Sequence, residues 1–293
     1  MDSVECVVRG TDRLGECPLW DPRAAARWWV DSRAPTLKRF DPATGDVRTL
    51  KLRETIGSFA FRARGGMIAA LQSGLYALDP ETGAHTMIAQ PEPHLPENRF
   101  NDGRCDRAGR FWAGTMSDVR RDPTGSLYRF APDGGWEKMR GDIVIPNSLA
   151  WSPDNRTMYF ADTFRNRIYA YDFDLASGDI RNERVFADAG AAGGNAILPD
   201  GSCIDAEGCL WNCDYGGWRV VRYRPDGRVD RDIRLPVANQ TCCCFGGAQL
   251  DTLYVTSATQ RLTPEQLAEQ PLAGSVFALR PNVRGLPEAT FLG

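Results

Sequence analysis

One segment recurs along the chain. A turn such as Asp-Ala-Glu-Gly leads into an aromatic pair or apolar triplet, then into a second short strand that ends at a Pro, Asp or Gly turn. Six copies are marked by their closing turns: DPATG at 41–45, DPETG at 79–83, APDG at 131–134, DLASG at 174–178, RPDG at 224–227 and RPNVRG at 280–285. The spacing averages about 49 residues, which is the period of propeller blades, units that cannot bury their faces without neighbours. Runs such as RWWVDS, RFWAGT, TMYFADT, CLWNCDY and TLYVTSA are β-branched or aromatic and bounded by turn formers, so they read as strands. Helical periodicity is nearly absent. The pattern predicts an all-β fold, a six-bladed β-propeller with four-stranded blades around a central channel. It forms one domain over 1–293, with blades at about 15–50, 56–90, 99–140, 146–188, 199–236 and 240–293. Residues 4–10, containing Glu5-Cys-Val-Val8, are expected to close the ring by pairing with the last blade. One short helix is expected in the insertion at 262–272, where Thr263, Pro264 and Gln266 form a capping-box start.

Equivalent positions of a propeller lie on a ring, so polar residues shared between repeats converge. Glu16-Cys-Pro-Leu-Trp20 aligns with Asn147-Ser-Leu-Ala-Trp151, and without a gap Asp31 then meets Asp162. Asn101-Asp-Gly aligns with Asp200-Gly-Ser, so that Asp106 meets Asp205 and Trp112 meets Trp211. Glu16, Asn101, Asn147 and Asp200 therefore stand near the start of the innermost strand in four blades, and the other two offer Gly57 and approximately Cys242. Each motif alone reads equally well as a turn. Four together form a set of hard oxygen donors for one divalent cation, Ca²⁺, Mg²⁺ or Mn²⁺, with Zn²⁺ and Fe²⁺ also compatible. Trp20, Trp112, Trp151 and Trp211 recur with the repeat and read as core between blades.

Composition narrows the chemistry. With 35 basic and 38 acidic side chains the net charge is −3, so no electrostatic footprint for nucleic acid or anionic membrane exists, and the expected partner is a small molecule. The start MDSVECVVRG has neither a basic n-region nor an apolar core, and no window of about 18 apolar residues occurs, so a cytoplasmic protein is expected. Nine cysteines, three of them consecutive at 242–244, suit a reducing compartment with thiols acting as small apolar residues. Cys209 and Cys213 lack zinc-pair spacing, and His85 and His94 sit in turn-like contexts. A closed ring leaves no strand edge that demands a partner, so a monomer or weak homo-oligomer is expected.

Gly15-Glu-Cys-Pro-Leu-Trp20, Arg99-Phe-Asn-Asp-Gly103, Phe111-Trp-Ala-Gly-Thr-Met116, Pro146-Asn-Ser148, Pro199-Asp-Gly-Ser202 and Cys244-Phe-Gly-Gly247 together resemble the gluconolactonase/regucalcin (senescence marker protein 30) family over essentially the whole chain. The resemblance implies a six-bladed propeller, one divalent cation and hydrolysis of sugar lactones, aldonolactones among them. It implies Glu16, Asn147 and Asp200 as metal ligands, and Arg99 and Asn101 as substrate-binding residues. Some relatives carry a substrate-contacting Glu just beyond Gly-Thr-Met; here Asp118 stands one residue out of that register and is the substitute. A bound cation polarises a lactone carbonyl and activates water, which suits a chain with two histidines and no Gly-x-Ser-x-Gly elbow. Asp200 is the candidate general base and Asp102 the competing one. Two other readings stay open: a non-catalytic calcium-binding propeller, and a related propeller hydrolase acting on another ester or a phosphotriester.

Overall fold

A computed structural model describes residues 3–188 and 198–293. Six antiparallel four-stranded sheets are arranged as a β-propeller, as the repeat predicts. Their first strands, Gly15–Asp21, Ile56–Phe61, Asn98–Cys105, Pro146–Trp151, Leu198–Ile204 and Gln240–Gly246, pack against one another and ring the channel. Fourth strands such as Val47–Lys51 and Ile180–Asp188 face solvent. This gradient explains the sequence pattern: inner strands read as continuous buried runs, outer strands as charged ones.

Three of the closing turns work by a shared device. Asp41, Asp79 and Asp174 each accept the amide two residues on, and Gly45, Gly83 and Gly178 take the left-handed conformation that completes the turn. The sixth behaves differently. After Val276–Leu279 the segment RPNVRG leads away from the sheet, because the outermost strand of blade 6 is Glu5–Val8, paired antiparallel with Val276–Leu279. The remaining residues cross the channel end opposite the inner-strand starts. Gly285 bridges Asp205, Glu288 pairs with Arg104 at 3.3 Å, and Phe291 bridges Arg62.

The core is distributed over the seams between blades. Trp112 and Trp151 share the seam of blades 3 and 4 with Phe173, Trp211 meets Phe245 between blades 5 and 6, and Trp20 stacks on Tyr254 between blades 6 and 1. Each buried tryptophan contributes about 4–6 kcal/mol of transfer free energy. All nine cysteines are free and eight are buried. The helix Pro264–Glu269 has both capping-box bonds, Gln266 N to Thr263 Oγ1 and Thr263 N to Gln266 Oε1.

Candidate active site

Every inner strand is interrupted by a β-bulge at about the same height. The register shifts between Glu16 and Leu19, Ile56 and Ser58, Phe100 and Gly103, Asn147 and Ala150, Pro199 and Ser202, and Gln240 and Cys243. The ladders refine the sequence alignment. Glu16 and Asn147 are the last paired residues before a bulge, whereas Asn101 and Asp200 are the first residues inside one. The four thus occupy two successive positions, and the bulges, which re-aim side chains, let both face the channel. After Glu16 and Asn147 the chain turns left-handed at Cys17 (φ 48°) and Ser148 (φ 62°), a conformation costing a non-glycine residue about 1–3 kcal/mol. In blade 6 the position matching Glu16 is Gln240 rather than Cys242, and its amide is turned to the Val237 carbonyl. Blade 2 has Gly57, where a Cβ would lie 2.4 Å from the Asn101 carbonyl oxygen, so this strand provides close approach instead of a donor.

Glu16, Arg99, Asn101, Asn147 and Asp200 line one cavity at the channel mouth, together with Arg33, Thr163, Phe164, Tyr215 and Arg261. A hydrogen-bonded chain fixes their orientation. Arg99 donates to Asp118 (2.6 Å) and to Asn101 Oδ1 (2.9 Å), and Asn101 Nδ2 donates to the Pro146 carbonyl (3.0 Å) and towards Asn147 Oδ1 (3.3 Å). Asn147 Nδ2 donates to Thr163 Oγ1 (2.8 Å), which donates to the Pro199 carbonyl (2.8 Å) beside Asp200. The Asn101 oxygen is therefore engaged by Arg99 at 2.9 Å, while the Asn147 oxygen has only the longer contact from Asn101 at 3.3 Å.

Glu16 and Asp200 form no ion pair among the described residues. Burial, with Asp200 and Asp102 adding repulsion, pushes the Glu16 carboxyl well above its ordinary range. Burial and Asp102 do the same to Asp200, against the Gly201 amide. Asp200 is buried and Glu16 partly so; Arg99 and Arg261 attract them without forming an ion pair, and two such carboxylates beside the Asn147 amide fit a divalent cation with oxygen preference. Among the described residues no three His, Cys, Asp or Glu side chains form a metal cage; beside the two carboxylates the cavity lining offers the amides of Asn101 and Asn147.

The family model for the SMP-30/gluconolactonase/LRE-like region matches residues 14–259. The chain belongs to that family. This SMP-30/gluconolactonase/LRE-like protein is 40% identical over 292 residues to 6-deoxy-6-sulfogluconolactonase of Pseudomonas putida, covering 100% of this chain and 99% of the relative. It is 35% identical over 297 residues to human (Homo sapiens) regucalcin, covering 99% and 98%. Among solved structures, a calcium-binding protein, regucalcin, from Agrobacterium tumefaciens superposes with a TM-score of 0.93 at 33% identity, covering 99% of this chain and 97% of that one.

Within this family member two candidates stand apart from the cavity lining. Asp118 is clamped between Arg99 and Arg33, with Arg33 Nη1 and Nη2 each at 2.7 Å. Burial disfavours its charge, but those two guanidiniums hold its carboxyl below the ordinary value, so it orients Arg99 from behind. Asp102 accepts the Leu149 amide (3.1 Å) and faces down the channel towards Arg104. His94 is exposed and outside the cavity.

Three aspartates escaped the reading of the sequence as functional. Asp31 accepts the Arg13 and Leu14 amides (2.8 and 3.0 Å), Asp162 those of Val144 and Ile145 (3.0 Å each), and Asp214 that of Leu198. Each holds the segment that delivers Glu16, Asn147 or Asp200. The gapless match of Asp31 with Asp162 was the available signal.

Proposed function

We propose that this protein is a divalent-metal-dependent hydrolase that opens a sugar lactone, an aldonolactone, to its aldonic acid. The observation that carries the reading is the convergence of Glu16, Asn147 and Asp200 with the Arg99–Asn101 pair in one cavity. Family membership and the lactonase named among its relatives support the reaction class and make a sulfo-substituted gluconolactone one candidate substrate.

A divalent cation held by Glu16, Asn147 and Asp200 would supply Lewis-acid polarisation of the ring carbonyl and stabilise the charge that develops on its oxygen. Asp200 takes a proton from the attacking water and returns one to the ring oxygen as the acyl C–O bond breaks. Asp102 is less well placed for this role because its carboxylate is engaged by the Leu149 amide. Arg99, with Nε and Nη1 committed to Asp118, Phe100 and Asn101, keeps Nη2 for a substrate hydroxyl or the product carboxylate. Asn101, locked by Arg99 and Pro146, fixes the depth at which the sugar sits.

The test is removal of metal by chelator, followed by acid release from a panel of aldonolactones with and without Ca²⁺, Mn²⁺, Zn²⁺, Mg²⁺ or Fe²⁺, after subtracting spontaneous opening. Cation-restored turnover of one or two lactones is expected. Cation binding without turnover of any lactone would overturn the enzyme assignment in favour of a calcium-binding propeller.

A further inference from the structure

Arg33, Arg99 and Arg261 line the cavity at the channel mouth and Arg121 lies over its Phe164 ring; among the described residues only the first two have a carboxylate partner. Arg33 and Arg99 share Asp118. Arg121 and Arg261 form no ion pair among the described residues; both lie against the ring of Phe164, with guanidinium carbons 4.5 and 5.7 Å from its centroid. Phe164 and Arg261 line the cavity that contains Glu16 and Asp200.

An exposed arginine is ordinarily a solvated one, but Arg261 is held in place. Its backbone is left-handed (φ 67°), a strained state for a side chain with a Cβ. The preceding Gln260 is bolted on both sides: its amide donates to the Arg13 carbonyl (3.0 Å), and its carbonyl accepts from Tyr215 Oη (2.8 Å) and Asn239 Nδ2 (3.0 Å). Phe164 belongs to the short 3₁₀ turn Thr163–Arg165, whose first residue orients Asn147. Asp200 attracts Arg261, but once Glu16 and Asp200 balance a divalent cation no ion pair among the described residues offsets Arg121 and Arg261. Two like charges gathered on one ring above a charge-balanced site create a positive rim that draws in an anion. Guanidinium forks match the oxygens of a sulfonate or phosphate.

We propose that Arg121 and Arg261 bind an anionic substituent, a sulfonate or a phosphate monoester, carried by the substrate on the carbon farthest from the lactone carbonyl. The proposal rests on the lactonase reading: the carbonyl goes to the deep carboxylates, so the distal carbon lies at the mouth. It makes both arginines specificity-determining residues.

The test compares kcat/KM of the metal-loaded protein for gluconolactone, 6-phosphogluconolactone and 6-deoxy-6-sulfogluconolactone. At least one anionic lactone is expected to exceed the neutral one by about tenfold, and Arg121→Gln/Arg261→Gln together to cut that ratio by about tenfold or more, the span of one or two charged hydrogen bonds. Which anionic lactone leads separates sulfonate from phosphate. A wild-type preference for the neutral lactone, or a ratio unchanged in the double variant, overturns the proposal. If no lactone turns over, calorimetry with 6-phosphogluconate against gluconate decides the matter separately. Arginine-dependent preference for the phosphorylated acid keeps the anion site while the lactonase reading falls; equal binding of both acids removes the anion site as well.

Discussion

Asp162 should be as necessary to the cation site as a ligand, although it does not itself line the cavity. It is fully buried, and its two oxygens accept the Val144 and Ile145 amides at 3.0 Å each, two and one residues before the inner strand that starts at Pro146 and carries Asn147. Asp162→Asn keeps the shape but presents one NH₂ to a part-buried amide that needs an acceptor and removes the charge paired with Arg165 (3.1 Å), at a cost of about 1–3 kcal/mol. Unfolding entropy for 293 residues is about 0.6 kcal/mol per kelvin, so about 2.5 kcal/mol lowers Tm by about 4 °C. The segment before Asn147 then shifts, and cation affinity falls by about 10- to 100-fold, as when the partner of a metal ligand is lost. The control is Asp205→Asn at the opposite end of the channel, where the carboxylate holds Trp211 Nε1 (2.9 Å), Arg222 Nε (2.9 Å) and two turn amides. It should destabilise by a similar amount with no effect on the cation. Thermal melts in chelator and calorimetric titration with Ca²⁺ or Mn²⁺ measure both quantities. Native cation affinity in Asp162→Asn, or equal loss in both variants, would refute the claim that this aspartate sets the position of Asn147.

Glu16→Gln should remove cation binding yet raise Tm in chelator at neutral pH, because one of two desolvated, mutually repelling carboxylates is gone. Cation binding should release protons and tighten as pH rises, which calorimetry in buffers of different ionisation enthalpy reads directly. With burial holding Glu16 and Asp200 above their ordinary range, the metal-free folded state keeps protons that the unfolded chain has already lost. Stability in chelator is therefore full below the ordinary carboxylate range and falls as pH climbs through the raised values, a slope that saturating cation should flatten. Asp102→Asn retains an oxygen for the Leu149 amide, so cation affinity within about twofold of wild type is expected if it stays outside the donor set; a larger loss places it inside. Phe291→Ala, in a tail residue only 2% exposed, should cost about 3–5 kcal/mol by chemical denaturation and leave kcat/KM unaltered.

The ring was legible in the sequence because its determinants are local: turn chemistry at a fixed period and strands bounded by it. So was the convergence of Glu16, Asn101, Asn147 and Asp200 on one cavity, since homologous repeats place them near one height. What the sequence hid depends on distances between blades. The Arg33–Asp118–Arg99 clamp joins positions 85 and 19 residues apart, and Thr163 reaches the Pro199 carbonyl 36 residues on; neither follows from periodicity. The one-residue offset between the Glu16/Asn147 and Asn101/Asp200 pairs lies in the bulges, which turn composition does not reveal. The sixth closing turn resembles the others in composition, yet it releases a tail, because the strand that would follow it is supplied by Glu5–Val8.

The arrangement also explains how a fold can tolerate such a site. Desolvated carboxylates and left-handed Cys17 and Ser148 oppose folding, and the attractions of Arg99 and Arg261 offset only part of it. The compensation is elsewhere: six apolar seams between blades and a tail that covers the other end of the channel with Phe291 and the Arg104–Glu288 pair. Inner strands transmit this support because ladder pairing resumes beyond each bulge and ties the strand to its blade. The strain can therefore sit in the bulge without spreading along the blade, and Gly57 and Gly201 let neighbouring strands close around it, the latter where a Cβ would lie 2.3 Å from Cys242 Sγ. A substitution that adds a Cβ at Gly201 would push blades 5 and 6 apart beside Asp200, so the two glycines belong to the site as much as the side chains they bring together.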